Sequence, residues 1–260
     1  MLGLGNSLVS PFFTGESFVN AYRVVLDGSN DNMSAEDHDL FTPNSSGADR
    51  GFSISYWVRY DTSSVPAGRG AQTIWRSNNF YSGANHYEYT IGGGFDRKPI
   101  LKFYGGDDVN VYQQFKLDLV PDADTWYHFL WCWDLSDGDN TGWKCFINGA
   151  KQTHGSGATY SESGTWAAVA NTNDLTYFGN NNAANLSRAL TMDEIAFYDD
   201  FVSDVDAAVL YNDGAPADAT QVDNLIINYR FEEGSGTAVA DSTGNAGDIT
   251  LLNGTAWEAV

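Results

Sequence analysis

A dozen short segments of this chain alternate apolar and polar residues with a period of two, and convincing 3.6-residue periodicity is scarce. They fall at 21–27 (AYRVVLD), 52–61 (FSISYWVRYD), 71–77, 86–93, 100–106 and 111–119 in the first half of the chain. In the second half they fall at 125–135 (TWYHFLWCWDL), 142–149, 175–180, 193–200, 224–232 and 248–254. Turns rich in Gly, Asn, Asp and Ser separate them. Strands buried on one face, without helices between them, can hide that face only against another sheet. The pattern predicts an all-β fold, an antiparallel two-sheet jelly-roll sandwich.

Hydrophobic residues make up 42% of the 260 and aromatics 14%, enough for a core that needs neither metal nor disulfide staples. One helix is expected near 203–211, where Ser203 caps, Asp206 completes a capping box, Asp204 favours the helix dipole and Gly214 serves as a stop. Cys132 and Cys145 flank DLSDGDNTG, a hairpin loop whose symmetric pairing would set them opposite each other on one sheet face, as two thiols or as a cross-strand disulfide.

The balance of 34 acidic against 13 basic residues leaves a net charge of -21. Such a surface repels nucleic acid and anionic membrane, and suits either solubility in salt or divalent-cation binding. No apolar run approaches a membrane span, and the leader MLGLGNSLVSPFFTGES lacks the basic n-region of a signal peptide. Membrane insertion and nucleic-acid partners are not expected. His38, His86, His128 and His154 accompany no nucleophile motif, and the GGGF at 92–95 opens no helix, so nucleotide chemistry is set aside.

Four stretches together resemble the laminin-G-like jelly rolls of the concanavalin A-like lectin and glucanase superfamily. RVVLDGSNDNM followed by FSISYWVRYD is similar to that family's paired opening strands, and TWYHFLWCWDLSDGDNTGWKCFINGAKQ to its central hairpin. LTYFGNNNAANLSRALTMDEIAFYDDFVSDVDAAVLYNDG resembles its closing section with a short helix. YRFEEGSGTAVADSTGN resembles a segment that in most relatives precedes the opening strands. The resemblance implies a single laminin-G-like domain over 21–260, with a permuted C-terminal strand pair at about 224–257. A truncated second domain is the other reading. The leader MLGLGNSLVS is in addition similar to those of virion structural proteins of marine tailed bacteriophages.

Many such relatives bind calcium through the Asp of the closing DE strand. The resemblance therefore implies a structural calcium at Asp193, with Asp27, Asn30, Asp31 and the Gly28 carbonyl as co-ligands; the other reading has Asp193 bonding only loop amides. DLSDGDN lacks the closing Glu of a calcium loop and reads as a hairpin tip. The Glu-x-Asp-x-Glu pattern of a glucanase is absent, and strict alternation puts Asp193 and Glu194 on opposite faces, so no catalytic residues are expected. A sugar site needs aromatic faces with amides at the rim. The stretch RSNNFYSGANHY offers Phe80, Tyr81, Asn85, His86 and Tyr87, joined by Trp143 or Tyr160, whereas Trp57, Trp126 and Phe129 read as core.

The expected function is a non-enzymatic virion structural or decoration protein on the surface of a phage particle, made in the host cytoplasm. An N-terminal arm, residues 1–20, would dock it in multiple copies on other capsid or tail proteins through Leu2, Leu4, Leu8, Phe12, Phe13 and Phe18. The alternative is a carbohydrate-binding, fibre-type protein that recognises host-surface glycan; a polysaccharide hydrolase is the third reading.

Overall fold

The computed structural model describes residues 18–43, 50–61, 72–77, 87–93, 96–106, 108–134, 140–179 and 189–260. Leu2, Leu4, Leu8, Phe12, Phe13, Phe80, Tyr81, Asn85 and His86 lie outside the described residues. The strands run β1 (Tyr22–Asp27), β2 (Asn32–Ala35), β3 (Phe52–Tyr60), β4 (Gln72–Ser77), β5 (Tyr87–Gly93), β6 (Pro99–Tyr104) and β7 (Tyr112–Leu117). They continue with β8 (Trp126–Trp133), β9 (Trp143–Ile147), β10 (Ala150–His154), β11 (Gly157–Ser163), β12 (Thr176–Phe178) and β13 (Ala189–Tyr198). After helix α1 (Asp204–Tyr211) come β14 (Leu225–Tyr229), β15 (Ala238–Val239), β16 (Ile249–Leu252) and β17 (Ala256–Ala259).

The pairings build an all-β sandwich of two sheets. Sheet I has the order β17-β1-β13-β3-β8-β9-β10, with β14 taking over from β1 beside the second half of β13. Sheet II has the order β11-β7-β6-β5-β4-β12-β2-β16-β15. The chain steps from one sheet to the other between β10 and β11, where Thr153 pairs with Gly157. Strands of the 224–257 segment enter both sheets, β14 and β17 in the first and β15 and β16 in the second.

Alternation supplies the core between the sheets. Val24, Ile54, Phe129, Trp131 and Phe197 from sheet I meet Met33, Ile74, Tyr89, Leu101, Phe103 and Phe115 from sheet II. Phe103 stacks on Trp133 across the gap at 4.0 Å between ring centroids. A second apolar cluster lies on the outer face of sheet I, where Leu130, Cys132, Phe146, Ala196 and Tyr198 are covered by Ala207 and Leu210 of α1 and by Ala219 and Val222 after it.

The helix starts where expected, with Ser203 Oγ accepting the Asp206 N–H at 3.2 Å. Its left-handed cap is Asn212 rather than Gly214, because a short amide side chain tolerates that conformation. The cysteines are not opposite each other. Trp131 pairs with Cys145 and Cys132 with Lys144, so Cys145 faces the inner core and Cys132 the helix, both as free thiols. The sheet itself separates them. Trp57 and His128 lie on the helix side, stacked with Tyr211. Trp126 is half-buried, its ring beneath the Arg23 and Arg59 guanidinia. No helix among the described residues is long and apolar enough to cross a membrane.

Candidate functional site

Of the aromatics expected to form a sugar platform, Trp143 is 1% exposed and belongs to the core. It pairs with Trp133 at the mouth of the β8–β9 hairpin, which turns both indoles inward against Phe103 and Phe115. Tyr160 is partly buried against the same core. Tyr87 opens β5 and is 6% exposed, so it offers no free face by itself. Its ring contacts Tyr104 at 4.9 Å and Trp75 at 6.0 Å, and these neighbours lead to the outer face of sheet II.

That face can be read from strand register. Tyr177, Trp75, Thr90, Lys102, Gln114 and Ser161 are successive cross-strand partners through β12, β4, β5, β6, β7 and β11. They form one row pointing away from the core. On β6 and β7 the alternation is clean, with Leu101, Phe103, Phe115 and Leu117 inward and Lys102, Tyr104, Tyr112 and Gln114 outward. Tyr104 and Tyr112 pair directly. The Lys102 ammonium sits 3.7 Å from the Tyr112 ring centroid and 4.6 Å from that of Tyr104, a two-ring cation–π clasp. Burial pulls its pKa from 10.5 to about 8. Gln114 Nε2 donates to Ser161 Oγ at 2.9 Å.

A buried ionic brace stands where β4 leaves and β5 returns. Arg76 Nε donates to Glu88 Oε2 at 2.6 Å, and its Nη1 donates to the Asp174 carbonyl and to Thr176 Oγ1, both at 3.0 Å. Its Nη2 meets Asp37. Glu88 Oε1 accepts from the Thr172 N–H at 2.6 Å and from its hydroxyl at 2.9 Å. Both side chains are sealed from solvent yet hydrogen-bonded on every side, as a buried ion pair must be to persist.

The residues expected around Asp193 are not brought together. Asp27 pairs with Ala189, four residues from Asp193, or about 13 Å along the strand at roughly 3.3 Å per residue. The 27–31 loop closes on itself, Asp31 accepting the Asp27 N–H at 2.9 Å and Asp27 accepting that of Ser29 at 2.7 Å. The Asn30 carbonyl is taken by Asn253. Asp27, Gly28, Asn30 and Asp31 thus form a separate turn.

Asp193 has other neighbours, and a β-bulge selects them. Asp193 pairs with Trp57 but Ala196 with Ser55, so β13 carries one extra residue, and Glu194 takes a φ of 45°. Met192 and Ile195 both enter the inner core, which leaves Asp193 and Glu194 together on the outer side. Strict alternation, which separates them, fails at this point. Asn20 Nδ2 donates to Asp193 Oδ2 at 3.0 Å, and Arg230 lies 3.6 Å from Glu194. Both oxygens of Glu232 accept the Ala21 N–H, and Arg230 donates to the Val19 carbonyl at 2.6 Å.

Asn20 Oδ1, Asp193 Oδ1 and both oxygens of Glu194 are buried without a hydrogen-bond donor. Burial, reinforced by the Glu232 charge, pushes Asp193 up to about 7, and burial with the Asp193 charge pushes Glu194 to about 9. Buried oxygens without donors are the kind of ligand a hard divalent cation takes, and here Arg230 stands beside them, 3.6 Å from Glu194. Among the described residues no three His, Cys, Asp or Glu side chains form a metal-holding group. The protein's side-chain contribution would therefore be Asp193, Glu194 and the Asn20 amide. These carboxylates are 3% and 6% exposed and lie beside residues 19–21 and 230–232, so a glycosidic bond has no path to them.

The architecture, a two-sheet antiparallel β-sandwich of the jelly-roll kind, is shared with solved structures. Two solved structures match it over nearly the whole chain. A Bacteroides ovatus protein described as carbohydrate binding superposes with a TM-score of 0.57 at 14% identity, over 93% of this chain and 61% of its own. A heptameric SAP-like pentraxin from Limulus polyphemus superposes with a TM-score of 0.55 at 9% identity, over 92% of this chain and 95% of its own. No family model and no curated protein matches the sequence.

Proposed function

We propose that the chain is a non-enzymatic, lectin-like binding protein that takes glycan on the outer face of sheet II. The carrying observation is the outward group of Tyr104, Tyr112, Lys102 and Gln114 on β6 and β7: ring faces for sugar C–H surfaces beside directed donors and acceptors for hydroxyls. The carbohydrate-binding description of the Bacteroides ovatus protein of similar fold supports the same reading. Tyr112→Ala removes a half-buried ring from the surface without opening the core. Across a polysaccharide panel it is expected to weaken binding about tenfold, the scale of one lost stacking contact of about 1–2 kcal/mol, with an unchanged melting temperature. Unchanged affinity, or no binding to any polysaccharide by the intact chain, would overturn the reading.

The setting proposed for this activity is the surface of a phage virion. It is supported by the leader resemblance and by the strongly acidic, lysine-poor composition. Phe18 is better assigned to the protein's own fold than to a docking arm, since its ring lies 4.6 Å beneath the Arg230 guanidinium. Locating the protein in an imaged particle tests the setting. Calcium at Asn20, Asp193 and Glu194 is proposed as a structural cation, supported by the orphaned oxygens there.

A further inference from the structure

The basic residues of this chain are few, and carboxylates claim nearly all of them. Among the described residues Arg23, Arg50, Arg59, Arg76, Lys98, Lys116, Lys144, Lys151 and Arg230 all stand in ion pairs. Lys102 does not. The acidic surface is rich enough to supply a partner, yet the sheet surrounds this ammonium with two ring faces and with neutral Thr90 and Gln114 as cross-strand neighbours. A residue needed only to cover the rings would be cheaper as an uncharged one, because half-burying an unpaired ammonium carries a desolvation cost. Pre-positioned on a rigid strand, held over aromatics and free of a counter-ion, it is a cation kept for an anion that arrives from outside.

We infer that Lys102, clasped by Tyr104 and Tyr112, anchors an anionic substituent, and that the ligand is an acidic polysaccharide bearing carboxylate or sulfate groups rather than a neutral one. This rests on the glycan reading. The rings take the sugar face, Gln114 takes hydroxyls, and the ammonium takes the charge. A protein of net charge -21 repels polyanions at long range. Local recognition therefore emerges at physiological ionic strength, where a screening length of about 8 Å leaves the contact pair intact.

The test is calorimetric titration of the full chain at 150 mM salt with matched polymers. Polygalacturonate is compared with its carboxyl-reduced form and dextran sulfate with dextran, which separates the two anion chemistries. At least one acidic member is expected to bind tenfold or more tightly than its neutral counterpart. Lys102→Met, which keeps the aliphatic stem, is expected to erase that preference, and Lys102→Arg to retain part of it, both at wild-type melting temperature. Should Lys102→Met lower the melting temperature, Lys102→Gln carries the same comparison. Equal affinity for acidic and neutral members, or a preference that survives Lys102→Met, overturns the inference and leaves the glycan reading standing. Absence of binding to every polymer removes both. Tighter binding of polyglutamate than of any polysaccharide, lost in Lys102→Met, overturns the assignment to sugar.

Discussion

At the scale of single residues the decisive group is Glu194. An acid whose pKa is raised on folding binds its proton more tightly in the native state, so the native state loses stability as pH rises from the unfolded value towards the folded one. Asp193 moves from 3.8 to about 7 and Glu194 from 4.5 to about 9. In chelator, the melting temperature is therefore expected to fall steadily from about pH 5 to pH 9. A bound cation removes the proton requirement, so with millimolar calcium the profile flattens over that window and the midpoint rises. Glu194→Gln is expected to flatten the chelator profile above about pH 7, leaving the Asp193 slope below it, and to weaken the calcium response. A midpoint indifferent to calcium at pH 8 would sink the cation proposal. The family resemblance pointed to Asp193 in the sequence, but nothing there pointed to its structural neighbours. Asn20 and Glu232 lie 173 and 39 positions away, and the bulge that turns Glu194 to the same side leaves no signature in alternation.

At the scale of elements, the strands that sequence revealed are those with apolar alternation, such as β3, β6 and β8. β10 and β11, with AKQTH and GATYSES, bury little, and their cross-strand partners rather than their own side chains make them strands. β13 begins at Ala189, ahead of its expected start, because β1 and β3 flank its first half. The turn DSTGN is wound about one carboxylate. Asp241 accepts the N–H groups of Asn228 at 3.0 Å, Thr243 at 3.1 Å, Asn245 at 2.9 Å and Ala246 at 2.8 Å. Asp241→Ala strands several donors at once and is expected to destabilise the sandwich by about 3 kcal/mol or more in urea unfolding. A loss below about 1 kcal/mol would mean that the turn holds its shape without that carboxylate.

At the scale of the whole molecule the two ends of the described chain adjoin. The Ala21 carbonyl accepts the Val260 N–H at 2.9 Å while its own N–H is held by Glu232. Joining Val260 to Phe18 through a short Gly-Ser linker and reopening the chain near Pro216 would place β14 to β17 ahead of β1, the order that the resemblance implies. The permutant is expected to fold cooperatively, with the wild-type circular dichroism spectrum and a melting temperature within about 10 °C. Failure to fold would show that the present strand order is itself required. The sandwich was legible because burial on one face of each strand leaves few arrangements. The proposed platform was not, since Lys102 and Tyr104 lie on one strand, Tyr112 and Gln114 on another, and they meet only through register.

The sealed pair of Arg76 and Glu88 has a consequence for how such a protein diversifies. It fastens the departing and returning strands from inside and holds the 172–176 segment as well, so the two residues can vary only together, since losing one partner leaves the other charge buried and alone.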